Sequence, residues 1–198
     1  MLELSIALPI RVQNGGLFIS RGVGRHPARK LSSWEIIFVE KGTLTIQEEN
    51  TLFEVNAGES LLLWPKRRHV GVEDFPGDLK FYWLHFEVDE RLPALPGATP
   101  LSIEQHCSVR DPQYVIALFR QFLSEQEKLQ RSQALEIILL LILQQISLSP
   151  GYEDKADDAG AAMAWKAKQL IRTHFHLPLS TSQLAKELHC NADYLGRV

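Results

Sequence analysis

The chain has 198 residues, of which 45% are hydrophobic and 23% are charged, and it carries a formal net charge of −3. A chain of this length can bury the core of one large domain or two small ones, and its composition excludes an intrinsically disordered protein. The two cysteines, Cys107 and Cys190, belong to no CxxC or Cys/His motif, so we expect free thiols in a reducing compartment rather than a disulfide or a zinc site.

The first ten residues, MLELSIALPI, do not resemble a secretory leader, because they lack a basic start and contain Glu3 and Pro9. The longest apolar run, residues 137–143, has seven residues, whereas a membrane-spanning helix needs about 20. We therefore expect a cytoplasmic protein.

Residues 33–65 have the pattern of short β-strands. They are rich in Ile, Val, Leu, Phe and Thr, and turn sequences interrupt them at Lys41-Gly42, Glu49-Asn50 and 57–59. Residues 79–88 form a further alternating strand. Its two faces are predicted to carry Phe81, Trp83 and His85 on one side and Tyr82, Leu84 and Phe86 on the other. Short strands without a helical period between them predict a small β-barrel or sandwich.

The period changes after a Pro- and Gly-rich break at residues 90–100. Asp111-Pro112 is a typical helix start, and apolar residues follow at helical spacing. A second predicted helix, at about 132–146, is apolar on nearly every face, so it must be covered on more than one side. Residues 147–163 have the composition of a linker.

The last forty residues predict a helix at about 161–176 and then a helix, a tight turn and the start of another helix. Ser180 or Thr181 is a natural N-cap, with Gln183 placed as in a capping box, and Asn191 can cap the final helix. This is the plan of a helix-turn-helix, although a plain pair of helices without a DNA role has the same spacing. Residues 161–198 carry a net charge of +3, so the rest of the chain carries −6.

The final segment resembles the first helix-turn-helix of AraC-type (AraC/XylS family) transcription regulators. The matching positions are Leu184-Ala185, Glu187-Leu188 and Tyr194-Leu195-x-Arg197. His189 departs from the pattern, because it stands at a turn position that usually holds a small residue such as glycine. The resemblance implies that Asp193, Gly196 and Arg197 are the DNA-binding residues, and Arg197 is the good donor among them.

The N-terminal half resembles the cupin sensor of sugar-responsive members of this family, and the whole resemblance covers most of residues 20–198. It implies an α+β fold: a jelly-roll-type cupin barrel at 1–100, two dimerisation helices at 101–148, a linker at 149–160 and a partial DNA-binding domain at 161–198. We expect that domain to be truncated within its first helix-turn-helix, so that residues 1–198 dimerise but bind DNA with little sequence specificity.

A metal-dependent cupin enzyme with a helical tail is the alternative interpretation. Metal-binding cupins generally use two histidines two positions apart, a glutamate and a later histidine. Glu35 and His69 fit two of these places, but ARKLSSWE (28–35) contains no histidine. Two of four ligands make a poor site, so we expect no enzyme activity, no metal and no cofactor.

The resemblance instead implies a small-molecule effector, a sugar or related metabolite, inside the barrel. Its predicted ligand-binding residues are Arg29, His69, Phe81, Trp83 and His85, although the aromatic rings could simply fill the barrel and Arg29 could be a surface charge. The family also implies a homodimer with an antiparallel helix seam, for which we predict Leu135, Ile138, Leu139, Ile142 and Ile146. The predicted function is a ligand-responsive, dimeric transcription regulator that acts on promoter DNA.

Overall fold

A computed structural model describes residues 2–3, 6–89, 100–148, 163, 166–168, 170–171 and 180–196. The chain divides into two compact units, Met1–Tyr152 and Glu153–Val198. The predicted linker at 149–160 and the predicted DNA contact Arg197 lie outside the described residues. Nowhere in the described segments is there a helix long and apolar enough to cross a membrane.

The first unit contains two antiparallel sheets and two helices, which confirms the predicted α+β class with an N-terminal barrel. Its elements in chain order are β1 (Ile10–Ile19), β2 (Arg29–Lys30), β3 (Trp34–Lys41), β4 (Thr43–Glu48), β5 (Thr51–Asn56), β6 (Glu59–Leu63), β7 (Arg68–Gly71), β8 (Lys80–Val88), β9 (His106–Ser108), α1 (Pro112–Gln126) and α2 (Ala134–Ser147). One sheet has the strand order β1-β8-β3-β6-β9, and the other has the order β2-β7-β4-β5.

The two faces of β8 separate two hydrophobic cores, as the alternation in the sequence predicts. Phe81 belongs to the inner core between the sheets, together with residues of β3, β4, β5 and β6. Tyr82 and Leu84 belong to the outer core, where the five-stranded sheet packs against both helices. The ring of Tyr82 stacks on Phe119 of α1 at 5.1 Å between centroids.

The predicted turns are also confirmed. Gly42 and Gly58 adopt φ values of +76° and +85°, and Glu49 adopts +50°. These left-handed conformations reverse the chain between short strands, and glycine reaches them without steric cost. A Cβ atom on Gly42 would lie only 3.0 Å from the backbone of Leu79, so this position excludes a side chain for a second reason.

Helix α1 starts where the sequence predicts. The Asp111 carboxylate accepts a hydrogen bond from the Tyr114 backbone N–H at 3.0 Å, and Pro112 occupies the first turn. The predicted boundary at residue 100 differs from the structure, because β9 pairs with β6 and extends the sheet to Ser108. The helices share the outer core with this sheet, so they form part of the barrel unit rather than a separate segment.

The five residues predicted for a dimer seam on α2 are buried within the first unit. All five side chains are at most 5% exposed and pack into the outer core of the same chain: Leu135, Ile138, Leu139, Ile142 and Ile146. They are buried because α2 lies against α1 and β1. The exposed apolar residues of this segment are Ile137 and Leu141 of α2 and Leu148 just after it, each at about 40%.

The second unit contains α3 (Thr181–Glu187) and the short helix α4 (Ala192–Leu195), and the described residues between 163 and 171 are helical. The predicted capping box is confirmed, since the Ser180 hydroxyl accepts from the Gln183 N–H and the Gln183 side chain accepts from the Ser180 N–H. Asn191 caps α4 by accepting from the Asp193 N–H at 2.7 Å. His189 adopts φ +53° in the turn between these helices.

Candidate functional site

A cavity of about 190 Å³ lies inside the barrel, where residues of both sheets meet. Its apolar part is formed by Phe18, Phe75 and Phe81, whose rings pack with centroids 4.5–4.9 Å apart. Trp83 of β8 and the polar residues His26, Arg29 and Glu35 complete the lining, together with Pro27. The cavity therefore combines aromatic faces with a cation and a carboxyl group.

Glu35 is the centre of a buried polar cluster at this cavity. Its Oε2 atom lies 3.7 Å from His69 Nε2, and its Oε1 atom lies 3.8 Å from His85 Nε2. Both distances exceed a hydrogen bond. All three residues are at most 6% exposed. The pairing of β3 with β8 places Glu35 opposite His85, while His69 comes from β7 of the other sheet.

Two contacts orient the surrounding histidines. His26 Nδ1 lies 3.0 Å from the Pro27 carbonyl oxygen. Because a carbonyl can only accept, Nδ1 carries the proton and Nε2 keeps its lone pair. His85 Nδ1 lies 3.3 Å from the Ser33 hydroxyl. The rings of His26 and His69 are 5.3 Å apart, so three histidine rings surround a single carboxyl group.

Gly71 allows the segment around His26 to lie directly against β7. The Gly71 N–H donates to the His26 carbonyl at 2.9 Å. A Cβ atom at residue 71 would lie 2.6 Å from the His26 nitrogen and 2.9 Å from its Cβ. The absence of a side chain at this position is thus a condition for the placement of His26.

Burial governs the protonation of the cluster. It raises the pKa of Glu35 to about 7, although the Arg29 guanidinium acts in the opposite direction. Burial also lowers the pKa of His69 and of His85 to about 4, and the positive charges of Arg29 and His26 act in the same direction. The histidines are therefore neutral near pH 7, and Glu35 exchanges its proton in that range.

Three of these residues have the composition of a metal-ligand set. His26, Glu35 and His69 each place a ligand atom within 4.8 Å of the others' ligand atoms. Within the described residues, Glu35 Oε2 and both ring nitrogens of His69 are buried without a hydrogen-bond partner. Buried polar atoms normally have one, so these atoms are available to a bound species.

A comparison with known protein families identifies the family to which this chain belongs. Residues 20–143, more than half of the chain, match the family described as the AraC-like ligand binding domain. The chain belongs to the AraC family. Its cavity and polar cluster thus lie in the ligand-binding domain of an AraC-type transcription regulator, in agreement with the resemblance found in the sequence.

Individual proteins similar to this AraC-family chain include a transcriptional regulator, ToxT and a cupin. An uncharacterized HTH-type transcriptional regulator YisR from Bacillus subtilis (strain 168) is 26% identical over 91% of this chain and 71% of its own length. Unsaturated-fatty-acid-bound ToxT from Vibrio cholerae strain SCE256 is 13% identical, over 95% of this chain and 72% of ToxT, with a TM-score of 0.39. A cupin 2 conserved barrel protein from Salinispora arenicola CNS-205 is 16% identical, over 43% and 69% of the two chains, with a TM-score of 0.33.

The structure separates the predicted ligand-binding residues of this AraC-family domain into two groups. Arg29, Phe81 and Trp83 line the cavity. His69 and His85 are buried at the carboxylate of Glu35, which itself lines the cavity.

Sequence reasoning missed His26, which lies in the segment before β2 and outside the stretch in which a histidine pair was expected. Its position follows from strand pairing and not from a local sequence motif. Strand β2 pairs with β7 and places Arg29 opposite His69, so the residues just before β2 lie close to that histidine.

The DNA-contact residues predicted from the family resemblance lie in or near α4. Asp193 and Gly196 are exposed. Asp193 lies in the first turn of α4, where a carboxylate favours the helix but repels phosphate. These two residues supply no positive charge, so the predicted recognition of DNA depends on Arg197 and other basic residues.

A second, apolar cavity of about 350 Å³ lies on the outer side of the five-stranded sheet, beside α2. Trp34 and Trp64, with ring centroids 4.7 Å apart, form part of its wall together with Leu140 and Leu143. It lacks the charged groups of the inner cavity, so it offers no fixed hydrogen-bonding pattern to a polar effector.

Proposed function

We propose that this chain is the sensor part of a dimeric, cytoplasmic transcription regulator that binds a small polar effector, a sugar or related metabolite, inside the barrel. The observation that carries the proposal is the cavity with Arg29, Glu35 and Trp83 in its lining, inside a domain of the AraC-like ligand-binding family. The role proposed is regulation rather than catalysis.

The chemistry of the cavity favours a small molecule with several hydroxyl groups. Cavities for drug-sized ligands have about 300–1,000 Å³, so the 190 Å³ found here suits a smaller ligand. Phe81 and Trp83 offer aromatic surfaces for the C–H face of a sugar ring. The Arg29 guanidinium is a planar donor, and the Glu35 carboxylate accepts hydrogen bonds from hydroxyl groups.

The proposed regulation requires a coupling between effector and dimer. An effector shifts an equilibrium only if it binds one arrangement of the subunits more tightly than the other. Ile137 and Leu141 on α2 and Leu148 just after it are exposed apolar residues, and we assign this exposed apolar stripe to the contact with a second copy in place of the buried residues named from the sequence. The DNA-binding part of the proposal rests on α3, α4 and the residues around them.

Effector binding is tested by calorimetric titration of the purified chain with a panel of monosaccharides and sugar acids. Arg29→Gln and Trp83→Leu are expected to weaken binding of any hit at least tenfold. Arg25→Gln is the matched control, because Arg25 is an exposed arginine of the same segment that pairs with Asp74 at 3.1 Å. A panel without a binder, or equal losses in all three variants, would contradict the proposal.

The proposed dimer is tested by analytical ultracentrifugation of the chain. Leu141→Glu places a charge in the exposed apolar stripe and is expected to shift a dimer to monomers. Gln121→Glu adds the same charge on the exposed side of α1 and is expected to leave the dimer intact. A monomeric wild type, or a dimer that both variants preserve, would exclude this interface.

A further inference from the structure

We propose that His26, Glu35 and His69 bind one divalent transition-metal ion of the Zn²⁺ type at the wall of the inner cavity. The proposal goes beyond the effector function, because it concerns a bound ion and holds whether or not the effector is a sugar. The three residues come from the segment before β2, from β3 and from β7, so the fold rather than the sequence order assembles them.

The spacing of the donor atoms suits a single ion. Zinc binds imidazole nitrogen and carboxylate oxygen at about 2.0–2.2 Å in a tetrahedral arrangement, so two ligand atoms of one ion lie about 3.3–3.6 Å apart. The 3.7 Å between Glu35 Oε2 and His69 Nε2 is close to this spacing. All three ligand atoms lie within 4.8 Å of one another, so binding requires the side chains to close by about 1 Å.

The donor atoms also lack other partners. Glu35 is 3% exposed and His69 is 1% exposed, and within the described segments the Oε2 atom and both imidazole nitrogens form no hydrogen bond. A buried carboxylate or imidazole is normally paired or bound to a metal. A metal ion at this position supplies a partner to Oε2 and to one nitrogen of His69 at the same time.

Neighbouring polar groups fix the orientation of the histidine rings. A metal-binding histidine commonly donates its second ring N–H to a carbonyl or carboxylate, which fixes the ring and its tautomer. His26 makes this contact through Nδ1 to the Pro27 carbonyl. His85, whose Nδ1 atom lies 3.3 Å from the Ser33 hydroxyl, has its Nε2 atom 3.8 Å from the other oxygen of Glu35.

Other charges around the cluster are compatible with a cation. The positive charge of Arg29 in the same cavity acts against a cation, but its side chain is exposed, so solvent reduces this repulsion. Three protein ligands leave at least one coordination position of a zinc ion free. Since His26 and Glu35 line the cavity, that position is available to an oxygen atom of an effector, and Arg29 favours an anionic one.

The experiment uses the whole chain, treated with EDTA, dialysed and then titrated with Zn²⁺ and, separately, with Co²⁺. We expect one ion per chain by calorimetry and by elemental analysis, a visible Co²⁺ absorption band, and a higher unfolding temperature with metal. His69→Gln, Glu35→Gln and His26→Gln are each expected to raise the Kd for Zn²⁺ at least tenfold and to remove the Co²⁺ band. His106→Gln is the control, because His106 is a partly exposed histidine that pairs with Glu59 at 3.0 Å outside the cavity.

A wild type without stoichiometric metal, or a loss in His106→Gln as large as in the three ligand variants, would overturn the proposal. Circular dichroism verifies that each variant folds. If a ligand variant does not fold, Gly71→Ala takes its place: its methyl group displaces the His26 backbone without removing a ligand, and it is expected to weaken Zn²⁺ binding. Sugar titrations of the EDTA-treated chain measure effector binding in the absence of metal. The effector proposal and the metal proposal can therefore fail independently.

Discussion

Two buried carboxylates, Glu48 and Glu35, differ in how the protein satisfies them. Glu48 accepts from the Trp64 backbone N–H at 2.7 Å, from the Gln105 side chain at 2.6 Å and from Arg67 at 3.4 Å, so it ties three segments together. Glu35 has histidines at 3.7 and 3.8 Å and an Oε2 atom without a partner among the described residues. The Glu48 carboxylate therefore stabilises the fold through its hydrogen bonds, whereas the Glu35 carboxylate keeps an oxygen atom that can bind a ligand.

Glu59 provides a test of pH-dependent stability at the turn between β5 and β6. Burial would raise its pKa, but the Asn56 backbone N–H at 2.8 Å and His106 at 3.0 Å act against it, and the pKa is lowered from 4.5. A lowered pKa in the folded state stabilises the protein fully above the unfolded value, and this stabilisation is lost as the pH falls through the folded value. Glu59→Gln is expected to lower the free energy of unfolding by about 1 kcal/mol at pH 7.

Urea unfolding at pH 7 and at steps below pH 4.5 measures this difference, which is expected to shrink toward zero in acid. Glu54→Gln on the exposed side of β5 is the control and is expected to change stability little. A difference for Glu59→Gln that stays constant down to pH 3 would show that its carboxylate is not the stabilising species.

His189 provides a second test at the scale of one residue. Its φ of +53° is unfavourable for a residue with a Cβ atom, and glycine adopts this conformation freely. His189→Gly is expected to stabilise the turn between α3 and α4 by about 0.5–1 kcal/mol. Hydrogen exchange of the α3 amides measures the effect as slower exchange, and unchanged or faster exchange would contradict it.

At the scale of elements, Gly15 and Gln126 fix α1 on the sheet. The Gln126 side chain accepts from the Gly15 N–H at 2.7 Å and donates to the Gly15 carbonyl at 3.1 Å. A Cβ atom at residue 15 would lie 2.8 Å from the Phe122 ring and 2.9 Å from the Trp83 carbonyl oxygen. The contact between β1 and the last turns of α1 therefore depends on a glycine.

Gly15→Ala is expected to destabilise the first unit by about 1–3 kcal/mol, because the added methyl group must displace a buried ring or the neighbouring strand. Gly77→Ala is the matched control: its nearest neighbour would be 3.8 Å away, so the substitution is expected to be neutral or slightly stabilising. Thermal and urea unfolding compare the two variants, and equal stabilities would exclude the proposed role of Gly15.

The elements also show which features the sequence could predict. The alternation of β8, the Asp111 cap of α1 and the Ser180–Gln183 capping box depend on neighbouring residues, and all three were predicted correctly. Strand β9 and the buried faces of α2 depend on partners far along the chain. An apolar helix has the same sequence pattern whether a sheet or a second subunit covers it, so the seam residues could not be chosen from the pattern.

At the scale of the whole first unit, the candidate site assembles residues from distant positions. Glu35 and His69 could be named from the sequence because they fit a known spacing. His26 could not, because its place beside His69 follows from the pairing of β2 with β7 and from the close approach at Gly71. The sequence also predicted that aromatic residues and an arginine bind the ligand. It did not show that these residues lie around Glu35, because that arrangement depends on contacts between distant segments.

The shared outer core predicts that the barrel and its helices unfold as one unit. Leu139 of α2 is fully buried in the cluster that contains Ile36 and Phe38 of β3 and Phe119 of α1. Leu139→Ala is expected to cost about 2–5 kcal/mol, whereas Leu141→Ala, at a position of the same helix that is 40% exposed, should cost less than about 1 kcal/mol. Native-state hydrogen exchange then distinguishes two possibilities. If the unit is cooperative, Leu139→Ala lowers the opening free energy of the β3 amides as much as that of the α2 amides. If only the α2 amides lose protection, the helices form the separate segment that the sequence pattern predicts, and the barrel is stable without them.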